Sequence, residues 1–170
     1  MKKIIINAFG LDRPGIVSEV TKIITFFNGN IEISKMLQLE AEFTLLMLVK
    51  INTNKIDDLF KKLNEINDLT VSSKVTKVTS ENTRFEYYDF SITIADDEGI
   101  VFIFSDLFKK YKINISNMET KIKNAPITGS PIFSLKSILM VPKNINLKEF
   151  KTELNKTAEV ESIDFSLKNS

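Results

Sequence analysis

Gly10-Leu11-Asp12-Arg13-Pro14-Gly15-Ile16-Val17 joins a short apolar strand to an amphipathic helix, and this junction decides the fold. Pro14 presets the backbone dihedral of a first helical turn and gives up only an amide hydrogen that has no intrahelical partner, so the spacing predicts a helix from Pro14. Gly15 leaves that turn without a Cβ. Beside the unpaired amides and the positive dipole end of a helix, a bare backbone admits an anionic group such as a carboxylate. The competing role of Pro14 and Gly15 is to shape a tight strand-to-helix turn.

Upstream, residues 3–9 read as a buried strand. Downstream, Ile16, Val17, Val20, Ile23, Ile24 and Phe27 fall at helical spacing and form one face. Asn28-Gly29 ends the helix, with Gly29 suited to a left-handed cap. From Asn30 to Leu39 the chain alternates, with Ile31, Ile33, Leu37 and Leu39 on one side of a half-exposed strand. Phe43 to Val49 is apolar on both faces, which predicts a strand covered on both sides. Ile56, Leu59, Phe60, Leu63 and Ile66 mark a second helix, and Thr70 to Thr79 a further strand. Strand, helix, strand, strand, helix, strand closes as a four-stranded antiparallel sheet with both helices on one face, the ferredoxin-like βαββαβ arrangement of an α+β protein.

The pattern then begins again. Displaced by 84 positions, Asp12 falls on Asp96, Gly15 on Gly99, Ile16-Val17 on Ile100-Val101, and Asn30-Ile31 on Asn114-Ile115. On the helix face Val20 meets Phe104, Ile23 meets Leu107, Ile24 meets Phe108 and Phe27 meets Tyr111. A core-facing set retained without a gap is a tandem repeat, with expected domains at 1–80 and 86–170 and a polar connection at 80–85. The register slips through an insertion at Lys123 to Pro131, read as an extended hairpin loop, after which Leu147, Phe150 and Leu154 correspond to Ile56, Leu59 and Leu63. Each unit leaves one sheet face without helices. Burial of that face should drive units or chains together, side by side about a pseudo-twofold axis or with sheets packed back to back.

Composition narrows the chemistry. The 170 residues are 43% hydrophobic and 26% charged, as expected of a folded domain, and 23 Lys+Arg against 22 Asp+Glu leave a net charge of +1. Such a balance provides no long-range attraction to nucleic acid or an anionic membrane. Cys and His are both absent, which removes thiolate chemistry, the commonest general base and the commonest transition-metal ligands. No metal or cofactor is implied. Met1-Lys2-Lys3-Ile4-Ile5-Ile6 holds too short an apolar run for a signal peptide or a span, so the expected location is the cytoplasm.

The Gly10–Val17 motif, the following helix, Asn30-Ile31 and downstream Phe43-Thr44-Leu45 resemble an ACT domain, and the tandem pair over essentially the whole chain resembles the glycine cleavage system transcriptional repressor family. The second repeat departs from the first in carrying Asp97-Glu98 where the first has Arg13-Pro14. The resemblance implies a regulatory module that binds an amino acid between two ACT units. Carried over, Asp12, Arg13 and Gly15 would face Asn114 and Ile115, while Asp96 and Gly99 would face Asn30 and Ile31.

These residue types suit the task. An Asn amide donates to a carboxylate and accepts from an ammonium, a backbone amide binds the carboxylate, and an Asp pairs with the ammonium. The acidic run Asp96-Asp97-Glu98 would repel an incoming carboxylate, which favours the loop around Arg13. Competing roles are helix capping for Asp12 and Asp96, turn satisfaction for Asn30 and Asn114, and a surface ion pair for Arg13. The implied partners are a small amino acid, glycine and serine among the candidates, a protein such as a transcription factor, and further copies of the chain as a homo-oligomer. Direct contact with DNA is not implied. A ligand-free interaction scaffold is the alternative. An enzyme of the acylphosphatase type fits less well, because no nucleophile–base pair or Gly-rich phosphate cradle accompanies Arg13. RNA binding would need stacking aromatics that Phe43 to Ile51 does not supply in the required pattern.

Overall fold

A computed structural model describes residues 1–76, 84–95, 99–126 and 129–170. The chain divides into two compact units, Met1–Ser80 and Glu81–Ser170. In the first unit β1 (Lys2–Leu11), α1 (Ile16–Phe26), β2 (Asn30–Leu39), β3 (Glu42–Ile51), α2 (Ile56–Leu63) and β4 (Leu69–Thr76) follow in order. A 3-10 turn at Thr53–Lys55 leads into α2. In the second unit the order is β5 (Phe85–Ala95), α3 (Ile100–Lys110), β6 (Asn114–Asn124), β7 (Pro131–Pro142), α4 (Leu147–Val160) and β8 (Phe165–Asn169). The sheets are antiparallel and ordered β2-β3-β1-β4 and β6-β7-β5-β8. Both are the ferredoxin-like arrangement read from the sequence.

Alternation along the strands sets the core. Ile4, Ile6 and Ala8 of β1 point to the same side as Phe43, Leu45, Met47 and Val49 of β3 and are covered there by Val20 and Ile24 of α1 and Leu59 and Leu63 of α2. The second core keeps this plan with aromatic residues. Phe90 lies 5.3 Å from Phe104 and 5.1 Å from Phe108 between ring centroids, and Phe108 meets Phe150 at 6.2 Å. Across the strand pair, Ile6 opposes Met47 in the first sheet while Phe90 opposes Ser137 in the second, so the larger ring sits beside the smaller residue.

Several local expectations are corrected. The first helix begins at Ile16, not Pro14, because Gly15 takes the left-handed conformation with φ of 92° and stands at the N-cap outside the helical spiral. The left-handed residue after α1 is Asn28 (φ 57°), not Gly29, and the matching residue after α3 is Lys112 (φ 55°). Gly29 is required by space, since a Cβ there would lie 2.8 Å from Ile24 Cγ2 and 3.1 Å from Val49 Cγ1. The simple alternation of β2 fails at a bulge between Ile31 and Ile33. It sends Ile31 to the core and Ile33 to the other face. The same bulge recurs between Ile115 and Asn117 of β6. β3 is covered on one face only, with Leu46 exposed on the other. The β6–β7 ladder runs on to Asn124–Pro131, which extends the second hairpin.

Candidate functional site

The strand-to-helix junction is built by three local constraints. Gly10, near the end of β1, pairs with Leu69 of β4 so closely that a Cβ would fall 2.0 Å from the Asp68 carbonyl oxygen. The Asp12 N–H then donates to the Ala41 carbonyl at 2.9 Å, tying the loop to the β2–β3 turn. Gly15 turns the chain into α1 through its positive φ. Open space surrounds its missing Cβ, so the dihedral rather than crowding demands glycine. Gly99 repeats the device before α3, with φ 90° and ψ −6° against 92° and −8°.

The junction leaves hydrogen-bond donors available. The Ile16 N–H donates to the Arg13 carbonyl at 3.3 Å and the Glu19 N–H to the Gly15 carbonyl at 2.9 Å. The intervening amides of Val17 and Ser18 are first-turn donors without an intrahelical acceptor. Sequence reasoning named the residues of the turn and the unpaired amides of the helix start, but did not assign those amides to Val17 and Ser18 or name Glu19. The helix N-terminus itself was the signal for the amides. The Arg13 guanidinium donates through Nη2 to Glu19 Oε2 at 2.6 Å, with both side chains partly exposed, so an incoming carboxylate has to compete with Glu19. Among the described residues the Asp12 carboxylate caps nothing, and Gly15 at the N-cap offers no side chain.

Asn30 opens β2 and Asn114 opens β6, both exposed, and neither side-chain amide is hydrogen-bonded among the described residues. Ile31 and Ile115 are partly buried, with their side chains packed against the two cores. Asp96, with Asp97 and Glu98, lies outside the described residues. Within the first unit, Gly15 and Asn30 stand at opposite ends of the 11-residue α1, about 16 Å apart along its axis. One unit alone therefore does not bring the glycine turn and the asparagine onto one small ligand.

Other features are structural. The Tyr111 hydroxyl donates to Glu153 at 2.6 Å, and this hydrogen bond, with burial and the nearby carboxylates, pushes its pKa up to about 12. Lys110 and Tyr111 hold Glu153 below its ordinary value, joining the end of α3 to α4. A groove of about 540 Å³ along α4, lined by Asn146, Glu149, Glu153 and Lys156 among others, contains none of the candidate residues. Among the described residues no group of three His, Cys, Asp or Glu is placed to hold a metal ion, and no helix is long and apolar enough to cross a membrane.

Residues 2–76 match the ACT domain family model. Over 64 residues the chain is 41% identical to a UPF0237 protein of Methanococcus maripaludis, spanning 38% of this chain and 69% of that protein. The chain belongs to the ACT domain family. Across the tandem length this ACT protein is 25% identical to the glycine cleavage system transcriptional repressor of Escherichia coli, over 174 residues that cover 96% of this chain and 91% of the repressor. A solved structure of an unknown protein from Galdieria sulphuraria superposes with a TM-score of 0.88 at 24% identity, covering 99% of this chain and 98% of that one, which extends the shared fold over both ACT-like repeats.

Proposed function

We propose that this ACT protein is an amino-acid-responsive regulator, similar in role to the glycine cleavage system transcriptional repressor, that acts through a protein partner and not by contact with DNA. The observation that carries the reading is the junction before α1, where Gly15 carries no Cβ and the amides of Val17 and Ser18 have no intrahelical acceptor and so could donate to a carboxylate. Asp12 and Arg13 would add the ammonium and carboxylate contacts, and Asn114-Ile115 or Asn30-Ile31 of a second ACT unit would complete the ligand shell. In the second repeat Gly99 makes the equivalent turn, and Asp96 would take the place of Asp12. No step of bond-making is part of this reading, and the expected compartment is the cytoplasm.

A thermal-shift screen of the purified chain against the common amino acids, glycine and serine included, tests it. A ligand that binds only the folded state adds about 2.7 kcal/mol at one hundred times its dissociation constant. The expected result is one selective upward shift that Asn114→Ala abolishes while the circular dichroism and unliganded melting temperature are retained. The Arg13–Glu19 pair favours a second reading, an interaction scaffold with no ligand, because the one cation of the turn is already engaged. Failure of every amino acid at millimolar concentration would select the scaffold.

A further inference from the structure

The β5–β8 sheet departs from the first on the face that its helices do not cover. Phe90 and Ile92 of β5 are buried in the core, so alternation turns Asp89, Ser91 and Thr93 to the open face. The register sets Lys136 of β7 and Ser166 of β8 on either side of Ser91, with Glu119 of β6 beyond Lys136 and Lys168 of β8 beside Asp89. These side chains, with Asn117, line a depression of about 320 Å³. It is hollow because the short, half-buried Ser91 and Ser166 form its floor, while the longer Lys136, Lys168 and Glu119 stand around them.

The first sheet serves as an internal control. In the same register Leu46 takes the place of Lys136, Ile5 that of Asp89 and Ile33 that of Asn117. The βαββαβ fold therefore does not call for a polar set at these positions. The set is also largely unpartnered. Glu119 is engaged by Lys121 at 2.5 Å, and neither Lys136 nor Lys168 forms an ion pair among the described residues. The Ser91 and Ser166 hydroxyls and the Asn117 amide make no hydrogen bond among the described residues. Asp89 accepts from the Ser170 hydroxyl at 2.9 Å through Oδ2 alone.

We infer that this depression binds a small zwitterion of the α-amino acid type. Its lining includes none of the residues of the glycine turns, nor Asn30 or Asn114. Lys136 and Lys168 take the carboxylate above the two serine hydroxyls, and Asp89 and Glu119 take the ammonium. The balance of two lysines against two carboxylates selects the class. A phosphate or a nucleotide brings only negative charge and meets the repulsion of Asp89 and Glu119. The volume lies at the lower end of the roughly 300 to 1,000 Å³ of small-ligand pockets, and the mostly polar lining suits a ligand with a short or polar side chain.

Titration of the isotope-labelled full chain with each common amino acid to millimolar concentration, followed by NMR of the backbone amides, is the test. The expected result is saturable movement of the Ser91, Lys136 and Ser166 resonances by at least one amino acid. Lys136→Leu, which copies Leu46 of the first sheet, and Asp89→Asn should each weaken that binding about tenfold, the scale of one charge-assisted hydrogen bond, with unchanged circular dichroism. The N-acetyl derivative of the amino acid that binds, which lacks the ammonium, and its methyl ester, which lacks the carboxylate, should both fail. No movement at these resonances with any amino acid, binding that both variants leave unchanged, or equal binding of the N-acetyl derivative or of inorganic phosphate would each overturn the proposal. Should Lys136→Leu not fold, Asp89→Asn and the two derivatives decide the matter alone. Binding in this depression survives Asn114→Ala, and binding at the turns is read at Gly15 and Val17 instead, so the two readings succeed or fail separately.

Discussion

Ser137 sits in the second core, buried, facing Phe90 across the strand pair, with no hydrogen-bond partner for its hydroxyl among the described residues. A buried hydroxyl without a partner costs about 1 to 3 kcal/mol, because its bonds to water are lost and nothing replaces them. Alanine removes the polar atom and almost none of the volume. Ser137→Ala should therefore raise stability by about 1 kcal/mol, seen as a higher urea midpoint with an unchanged slope. Ser137→Met, which copies Met47 of the first sheet, should destabilise instead, because Phe90 already occupies the space that Ile6 leaves to Met47. A Met variant as stable as the Ala variant would show that the aromatic ring and the serine are not matched in volume.

The glycines of the junction serve β1 and α1 in different ways, and the difference is measurable. Gly15→Ala meets open space and suffers only from the left-handed dihedral, a loss of about 1 to 2 kcal/mol. Gly10→Ala drives a methyl group into the Asp68 carbonyl and must part β1 from β4, so it should cost more, about 3 kcal/mol or folding itself. Urea melts of the two variants give the order, and the reverse order would refute this account of the junction. From sequence, the 84-residue repeat, the strand–helix order and the special status of Gly15 were all legible, because hydrophobic period and an isolated glycine leave direct marks. The bulge at Ile31–Ile33 was not. Isoleucines two apart look alike to a period-two pattern, and only pairing with β3 reveals that one faces the core and the other does not. The left-handed Asn28 was hidden for a related reason, since an adjacent glycine adopts that conformation at lower cost in isolation, yet Gly29 is held by packing on Ile24 and Val49. For the candidate site, residue types were legible but the Arg13–Glu19 pairing was not, because a six-residue separation across a turn and a helix start has no fixed spacing.

Charge decides which macromolecules a protein can hold directly. With 23 basic and 22 acidic residues the net charge is +1, and the cations are interleaved with carboxylates. Lys3 pairs with Glu32, Arg13 with Glu19, Lys62 with Glu65 and Lys110 with Glu153, all within 2.6 Å. Binding to duplex DNA draws its affinity from phosphates neutralised by free lysines and arginines, with counterions released in return. Cations already paired release none until their carboxylates are displaced. A fluorescence-anisotropy titration with labelled duplex at low salt should therefore show no saturable binding at micromolar concentrations of the chain. The surface on which the expectation is most exposed to failure is the open face of the β5–β8 sheet, where Lys136 and Lys168 stand with Lys121. Salt-sensitive binding that Lys136→Glu abolished would make that face a nucleic-acid surface. Action through a protein partner would then be the wrong reading of this chain.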